Sequence, residues 1–505
     1  MKLFADNPFR LKSALQDSVL YTEALHIAEA IAQLPTHYSK QKPTVWLVGG
    51  FVRDMLLGIP SKDIDIEVFG VSVKDLETLL ETLYPKKVHI VGKAFGTLKV
   101  SFGPAGDLDI SLPRRESKIG SGHRGFEVKS DPLLTPEEAA RRRDFTINAI
   151  SFDPLSQKWL DPFKGKQDLE KRLLRVVDKT TFMEDPLRVY RGIQFAARFE
   201  LSLEKKTFSL MKKLVEEQAL RELSPERVTE ELRKLLLQAK RPSIGFELMR
   251  ELGIISNTYP ELALLQRTKQ EPEWHPEGDV WIHTMMVIDA AANIIHDPER
   301  DFSEKECLQI MLGALCHDLG KPSTTKPGEK HGVPRIRSLG HEAAGEEPTR
   351  TLLATWRFGD DVLAGALLGT LRHLQPGMIW FALERGQLTE EQYVNAVRKL
   401  VKNAFPVSWR VLLAIAEADF RGRLLPEATE PYLAGEKFAK TVARYHFGAA
   451  PKKPLVQGQD LLELGLKPGP HFSELIATVE EARDHGEITT RAEGLAFVKK
   501  HLKKF

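Results

Sequence analysis

Leu47-Val48-Gly49-Gly50-Phe51-Val52-Arg53-Asp54, followed by Leu57-Gly58 and then Asp63-Ile64-Asp65-Ile66, is the stretch that decides the fold. Residues 45–48 read as a short buried strand. Gly49-Gly50 is the turn after it, and a helix then runs until Gly58 and Pro60 stop it. Ile64, Ile66 and Val68 alternate as in a second strand, which puts Asp63 and Asp65 together on its other face. On spacing alone such a row reads first as a solvated strand face. It also suits Mg²⁺, because a divalent cation with oxygen ligands removes the repulsion between adjacent carboxylates. Gly49 and Gly50 let backbone approach a phosphate at a helix N-terminus, and Arg53 in the first turn adds a cation. A plain glycine turn is the simpler reading of those two residues alone.

Working outward, residues 88–91, 98–101 and 108–110 read as further strands, and Asp109 is a candidate third carboxylate. Residues 113–131 are polar, Arg-rich and Gly-rich and read as a mobile loop. Thr135-Pro136-Glu137-Glu138 carries an N-cap, a first-turn Pro and a Glu three residues on, so a helix starts there. After Asp161-Pro162 the pattern becomes mostly helical. Breaks fall near 268–278, 322–334 and 424–434. The expected organisation is α+β: an N-terminal helical extension (1–43), a mixed-sheet head (44–170), a helical neck and body (171–268), a second helical unit (269–425) and a helical tail (426–505).

The 505 residues suggest roughly 3 or 4 domains. Hydrophobic residues make up 42% and charged ones 28%, which supports ordinary globular cores. No apolar run has membrane-spanning length, and Asp6-Asn7-Pro8 interrupts what a signal peptide would keep apolar. Cys307 and Cys316 read as small buried residues, as in a reducing compartment, so a cytoplasmic location is expected. The net charge of +2 neither demands nor excludes nucleic acid, and the motifs carry the functional reading.

The first signature, in this order and spacing, resembles that of the bacterial-type (class II) tRNA nucleotidyltransferase and poly(A) polymerase superfamily. That resemblance implies a polymerase-β-like head followed by helical neck, body and tail. Arg142-Arg143-Asp144-Phe145-Thr146-Ile147-Asn148-Ala149 resembles the second signature, which implies contacts to ribose and triphosphate. Clustered arginines suit triphosphate oxygens, and Asp144 or Asn148 can read a ribose hydroxyl. Glu184-Asp185-Pro186-Leu187-Arg188-Val189-Tyr190-Arg191 resembles the base-reading motif. Asp185 is also a fair helix cap. Arg188 and Arg191 share one helix face. A carboxylate beside a guanidinium offers an acceptor and a donor. Cytosine and adenine both present an amino group next to a ring nitrogen, so one Asp-Arg pair accepts CTP and ATP and rejects UTP and GTP, with no template.

Pro113-Arg114-Arg115-Glu116-Ser117 resembles the flexible-loop element of enzymes that add the terminal A, and residues 91–100 look more like the CCA-adding branch than the poly(A) polymerases. CCA addition to the tRNA 3′ end is the favoured reading, with A-only addition or poly(A) synthesis as alternatives. Further along, His283, His317-Asp318 and Asp419 resemble the core ligands of HD phosphohydrolases, with His341 and His373 at positions that bring a second metal. This implies a divalent metal (Mg, Mn, Ni or another) and hydrolysis of phosphate monoesters and 2′,3′-cyclic phosphates. A structural helical body, or conversely an HD hydrolase with an inert RNA-binding head, stays open. The stretch 455–505 looks like the tail that holds the tRNA elbow. There Lys499, Lys500, Lys503 and Lys504 either meet phosphate or form a solvated helix end.

Overall fold

The computed structural model describes residues 18–36, 42–61, 63–92, 97–118, 126–447, 454–469, 471–484 and 487–501. The short helices expected before Ser18, residues 93–96, the middle of the Arg-rich loop and Lys503 and Lys504 lie outside these.

The head is built on a seven-stranded mixed sheet. In chain order it comprises β1 (Thr44–Val48), β2 (Asp63–Phe69), β3 (Val88–Gly92), β4 (Thr97–Ser101), β5 (Asp107–Ser111), and the short β8 (Ser151–Phe152) and β9 (Trp159–Leu160). Spatially they run β3-β4-β5-β2-β1-β8-β9, and only β2 and β5 are parallel neighbours. Ile64, Ile66 and Val68 are buried, as the alternation requires. Helix α1 (Val19–Ala32) buries Leu20, Ala24, Ile27 and Ile31 in the same core, packing on β1, β2 and β5. It is therefore part of the head rather than a separate extension. Helix α2 (Gly49–Leu57) ends at Gly58 with φ 73°, the left-handed stop that glycine favours.

Where they are described, residues 113–118 and 126–131 differ from the expected mobile loop. β6 (Arg114–Lys118) and β7 (Phe126–Ser130) pair antiparallel from Arg114↔Ser130 to Lys118↔Phe126, and Asp131 N–H donates to the Pro113 carbonyl at 2.8 Å. The hydrophilic composition pointed to a loop. A hairpin, however, satisfies its backbone across the ladder and leaves polar side chains to solvent. Helix α3 (Pro136–Arg141) opens with the expected capping box between Thr135 and Glu138.

Beyond the head the described chain is mainly helical. α4 (Leu187–Phe199) packs on α5 (Pro225–Gln238), and α5 in turn touches α7 (Glu304–Cys316). A bundle follows of α6 (Val280–Ile295), α7, α8 (Asp360–Arg372) and α11 (Trp409–Arg421). One continuous apolar core runs from Leu20 to Ala418. A smaller one joins α9 (Gln375–Glu384), α10 (Glu390–Ala404) and α12 (Leu433–Tyr445), so the break expected near 425 falls inside it. Residues 456–498 have a core of their own. No helix among the described residues is long and apolar enough to cross a membrane.

α7 and α8 meet backbone to backbone. A Cβ on Gly369 would lie 2.9 Å from the Gly313 Cα and 3.1 Å from the Gly313 carbonyl oxygen. His317 and His373 each sit four residues after one of these glycines, one turn on and on the same face. The close crossing brings their rings to 5.0 Å between centroids. Gly369→Ala should therefore lower stability by about 1–3 kcal/mol, the usual cost of overpacking. Thermal denaturation of the variant beside the native chain checks this.

Candidate functional site

Two constellations emerge. The first is a cavity of about 450 Å³ lined by Gly49, Gly50 and Asp65 from the head and by Asp185, Arg188 and Arg191 at and along α4. Its walls are strongly basic, with Arg53, Arg142, Arg143, Arg191 and Arg198 among them.

Gly49 has φ 72°, and a Cβ there would lie 2.7 Å from Asp65 Oδ2 and 3.2 Å from the Arg143 guanidinium. Glycine is needed both for the turn and for this close approach. The cavity walls desolvate the Asp65 carboxyl and push it above its ordinary value. Arg143 opposes this, and the charges of Asp109 and Asp63 add to the rise. Asp109 stands opposite Asp65 in the parallel β2–β5 register. Lys99 reaches it at 3.1 Å and also binds Asp107 at 3.0 Å. Asp63 and Asp109 lie outside the cavity lining. Crowded carboxylates whose mutual repulsion is only partly relieved suit a divalent cation, which Asp63 and Asp65 could hold.

Arg142 and Arg143 both converge on Glu67, at 3.0 and 3.6 Å. Glu67 is 2% exposed, and against the cost of burial Arg143 and Arg142 hold its carboxyl below the ordinary value. Sequence reasoning did not single out Glu67. The same period of two that grouped Asp63 and Asp65 reaches it.

Arg53, Asn148, Asp144 and Arg191 form one chain. The Arg53 guanidinium donates to Asn148 Oδ1 at 2.7 Å and to Asp54 at 2.8 Å, and lies over the Phe199 ring. Asn148 Nδ2 donates to Asp144 Oδ1 at 2.9 Å, and Arg191 grips Asp144 Oδ2 through two nitrogens at 2.6 and 2.7 Å. Asp144 and Asn148 are buried, engaged with these protein groups, and both line the cavity. Asp185 accepts the Leu187 N–H and an Arg227 N–H, and Arg188 donates to the Arg142 carbonyl at 2.7 Å. Arg114 lines the cavity from the hairpin, while Arg115 pairs with Asp131 at 2.8 Å. Glu116 stands opposite Val128 in the ladder. Arg198, Arg227 and Lys234 are wall residues that sequence reasoning missed. Arg198 was findable, because it continues the spacing of Arg191 along α4 and lies one turn past Gln194, another wall residue.

The second constellation gathers all six of the spaced His and Asp residues. His283 and His317 point Nε2 at each other at 3.2 Å. Asp419 Oδ1 lies 3.1 Å from His283 Nε2, and Asp318 Oδ2 lies 3.1 Å from His317 Nε2. His341 Nε2 is 3.4 Å from Asp318 Oδ1, and His373 completes that group. Backbone carbonyls hold the opposite ring nitrogens: Ala314 for His317 at 2.7 Å, Ser338 for His341 at 2.8 Å and Gly369 for His373 at 3.0 Å. A carbonyl can only accept, so Nδ1 carries the proton and Nε2 presents its lone pair inward. The Nε2 atoms of His283 and His317 stand 3.2 Å apart, a separation that suits two ligands of one metal at about 2.1 Å each. Burial, with a contribution from His317, lowers His373 to about 3, so it stays neutral. Arg423, 2.7 Å from Asp419, and Lys321, 2.7 Å from Asp318, help keep both carboxyls ionised against burial. His275 and Glu277, also missed, form a third group with His283. Glu277 Oε1 lies 2.9 Å from Nδ1 of each histidine.

Glu67→Gln leaves two half-buried guanidinium groups short of a counter-charge. It should lower stability by about 3 kcal/mol, as read in the denaturant midpoint.

Residues 45–175 match the poly A polymerase head domain family, and residues 200–265 match the family described as the probable RNA and SrmB-binding site of polymerase A. The multifunctional CCA protein of Methylobacillus flagellatus is 37% identical over 380 residues, covering 75% of this chain and 84% of its own. That of Nitrosococcus oceani is 35% identical over 414 residues, covering 79% and 91%. The CCA-adding enzyme of Bacillus stearothermophilus, solved with CTP, shares the fold with a TM-score of 0.62 at 21% identity, over 96% of this chain and 98% of that one. With that identity sustained across three quarters of its length, and a matching head, the chain belongs to the multifunctional CCA protein family.

Proposed function

We propose that the chain builds the 3′ end of tRNA, adding CMP, CMP and AMP from CTP and ATP without a nucleic-acid template. The observation that carries this is that one cavity is lined by Asp65, by Asp185 and Arg188, and by a set of arginines. Those arginines suit the triphosphate oxygens of a nucleotide laid along the cavity. Asp185 and Arg188 then stand where the base comes to rest, one accepting from an amino group and one donating to a ring nitrogen. A base carrying oxygen in place of the amino group leaves a buried polar group unpaired, at about 1–3 kcal/mol. Asp63 and Asp65, with Asp109 beside them, would hold Mg²⁺, which would supply activation of the 3′-hydroxyl and charge neutralisation for the departing pyrophosphate. The 3′-oxygen bonds to the α-phosphorus as the bond to the β-phosphate oxygen breaks. The named relatives are multifunctional CCA proteins, and CCA-adding enzymes of the same fold have been solved with CTP, with ATP and with tRNA. Such a role belongs in the cytoplasm, where tRNA is processed.

A second reading, favoured by the four inward Nε2 atoms, adds a metal-dependent phosphohydrolase at the His-Asp cluster. Its substrates are 2′,3′-cyclic phosphates or phosphate monoesters, so one protein could clear a blocked RNA end and rebuild it. His283, His317, Asp318 and Asp419 would hold one metal, and His341 and His373 would bring a second. Mg²⁺, Mn²⁺ and Ni²⁺ are the candidates.

The test supplies CTP and ATP separately and together to tRNA ending at the discriminator base. Two CMP additions followed by one AMP are expected. A long A-only product would instead identify a poly(A) polymerase, and AMP addition only to tRNA already ending in CC an A-adding enzyme. Asp63→Ala with Asp65→Ala should cut incorporation by at least a thousandfold while leaving tRNA binding intact. His317→Ala should abolish cyclic phosphate hydrolysis and leave incorporation unchanged. Loss of every activity in His317→Ala alone would make the head inert and overturn the first reading.

A further inference from the structure

Of the four histidines in the His-Asp cluster, His283 is held differently from the rest. His317, His341 and His373 each give the Nδ1 proton to a backbone carbonyl. The Nδ1 of His283 meets the Gly422 carbonyl at 3.2 Å and, closer, the Glu277 carboxylate at 2.9 Å. Both side chains of that closer pair are 0% exposed. The same Oε1 of Glu277 lies 2.9 Å from Nδ1 of His275, whose ring stands edge-on to that of His283 with centroids 4.7 Å apart. The other oxygen, Oε2, accepts the Leu424 N–H at 3.3 Å. Glu277 is thus fixed from three directions and shut off from solvent.

The loop that carries Glu277 is itself tied to the cluster. It ends at Asp279, which caps α6 by accepting the Ile282 N–H at 2.9 Å, and His283 lies four residues further on. Gln270, earlier in the loop, donates to the Asp279 carbonyl at 3.3 Å and accepts from Lys321 Nζ at 2.7 Å. Lys321 in turn lies 2.7 Å from Asp318 Oδ2.

A hydrogen bond from Nδ1–H to a carbonyl fixes the tautomer and direction of an imidazole. A bond to an anion does this too, and it also draws the proton away from the ring, which makes Nε2 the better electron donor. His283, His317 and Asp419 form one ligand group, and Asp318, His341 and His373 form another. The first group has the buried Glu277 behind it. The nearest counterpart in the second is Glu342, 3.4 Å from Nδ1 of His341. That proton already goes to Ser338 at 2.8 Å, and Glu342 is 30% exposed, so water screens its charge.

We propose that Glu277 is a positioning residue for His283 and makes the two halves of the cluster unequal, so that His283, His317 and Asp419 take the first divalent cation and Asp318, His341 and His373 a second, weaker one. The proposal rests on the metal-binding part of the second reading above and on no reaction at the cluster.

The test counts Mn²⁺ by equilibrium dialysis against the full chain carrying Asp63→Ala and Asp65→Ala, so that the head takes up none. Two binding steps are expected. Glu277→Gln keeps the shape of the side chain and removes its charge. It should weaken the tighter step at least about tenfold, within the roughly 10–100-fold that partners behind a metal ligand supply, and the weaker step by less than about threefold. Glu277→Asp, which restores the charge, should recover part of the loss. tRNA binding and the thermal midpoint of the metal-free protein serve as fold controls. A carboxylate with a merely structural role would move the midpoint and both steps together. A comparison independent of Glu277 uses His341→Ala, which should lose the weaker step and keep the tighter, and His283→Ala, which should lose the tighter. No weakening in Glu277→Gln, equal weakening of both steps, or loss of the tighter step in His341→Ala overturns the proposal. A third Mn²⁺ that disappears in Glu277→Gln would make His275, Glu277 and His283 a metal site of their own, and overturns it too. Absence of any Mn²⁺ binding with the cluster intact overturns the metal reading itself, which the other outcomes leave standing.

Discussion

A β-strand shows its side chains to alternate faces, and a slip of one residue exchanges them all. In β2 that exchange would drive Asp63, Asp65 and Glu67 into the apolar core and expose Ile64, Ile66 and Val68, which are 0–1% exposed. The cost of setting these carboxylates among apolar groups, with Glu67 parted from its arginines, makes the register unambiguous, and the rest of the head follows from it. β5 is fixed beside β2, which sets Asp109 across from Asp65. β1 is fixed on the other side, which sets Gly49 close against Asp65. Arg142 and Arg143 then find their counter-charge at Glu67.

The helical bundle solves a different problem by different means. Six His and Asp residues from five separate chain segments must meet in a small buried volume. Helix ends provide the meeting place: His317 and His373 follow the last turns of α7 and α8, and Asp419 lies in the last turn of α11. The contact between Gly313 and Gly369 sets how closely two of those helices approach. Backbone carbonyls left over at the helix ends hold the Nδ1 protons, so the orientation of each imidazole is settled before any ligand arrives.

The two sites are parts of one packed body, since the apolar core that anchors β2 continues to Ala418. α4 carries Arg188 and Arg191 into the head cavity and packs on α5, which touches α7 of the bundle. The base-reading part of the cavity is therefore held between the head and the bundle, where packing from both sides limits its movement.

Much was legible in the chain itself. Period-two alternation located β2 and its carboxylates, the Thr135–Glu138 capping box located α3, and ordered motif spacing grouped the residues that line the head cavity. All of these are local, because neighbouring residues share a face through the geometry of a strand or helix. What only the tertiary structure decided is which charge answers which. Glu67 meets Arg142 from 75 positions away, Asp185 meets Arg227, and Lys99 occupies Asp109. The Asp144–Asn148 pair is spent on Arg191 and Arg53, and Glu277 joins His275 to His283. The polar stretch around Arg114 is a hairpin because its backbone found a ladder partner, which composition does not report. A sequence states which side chains share a face. Which faces meet is set by packing the apolar core, and the partner that neutralises each buried charge is decided there.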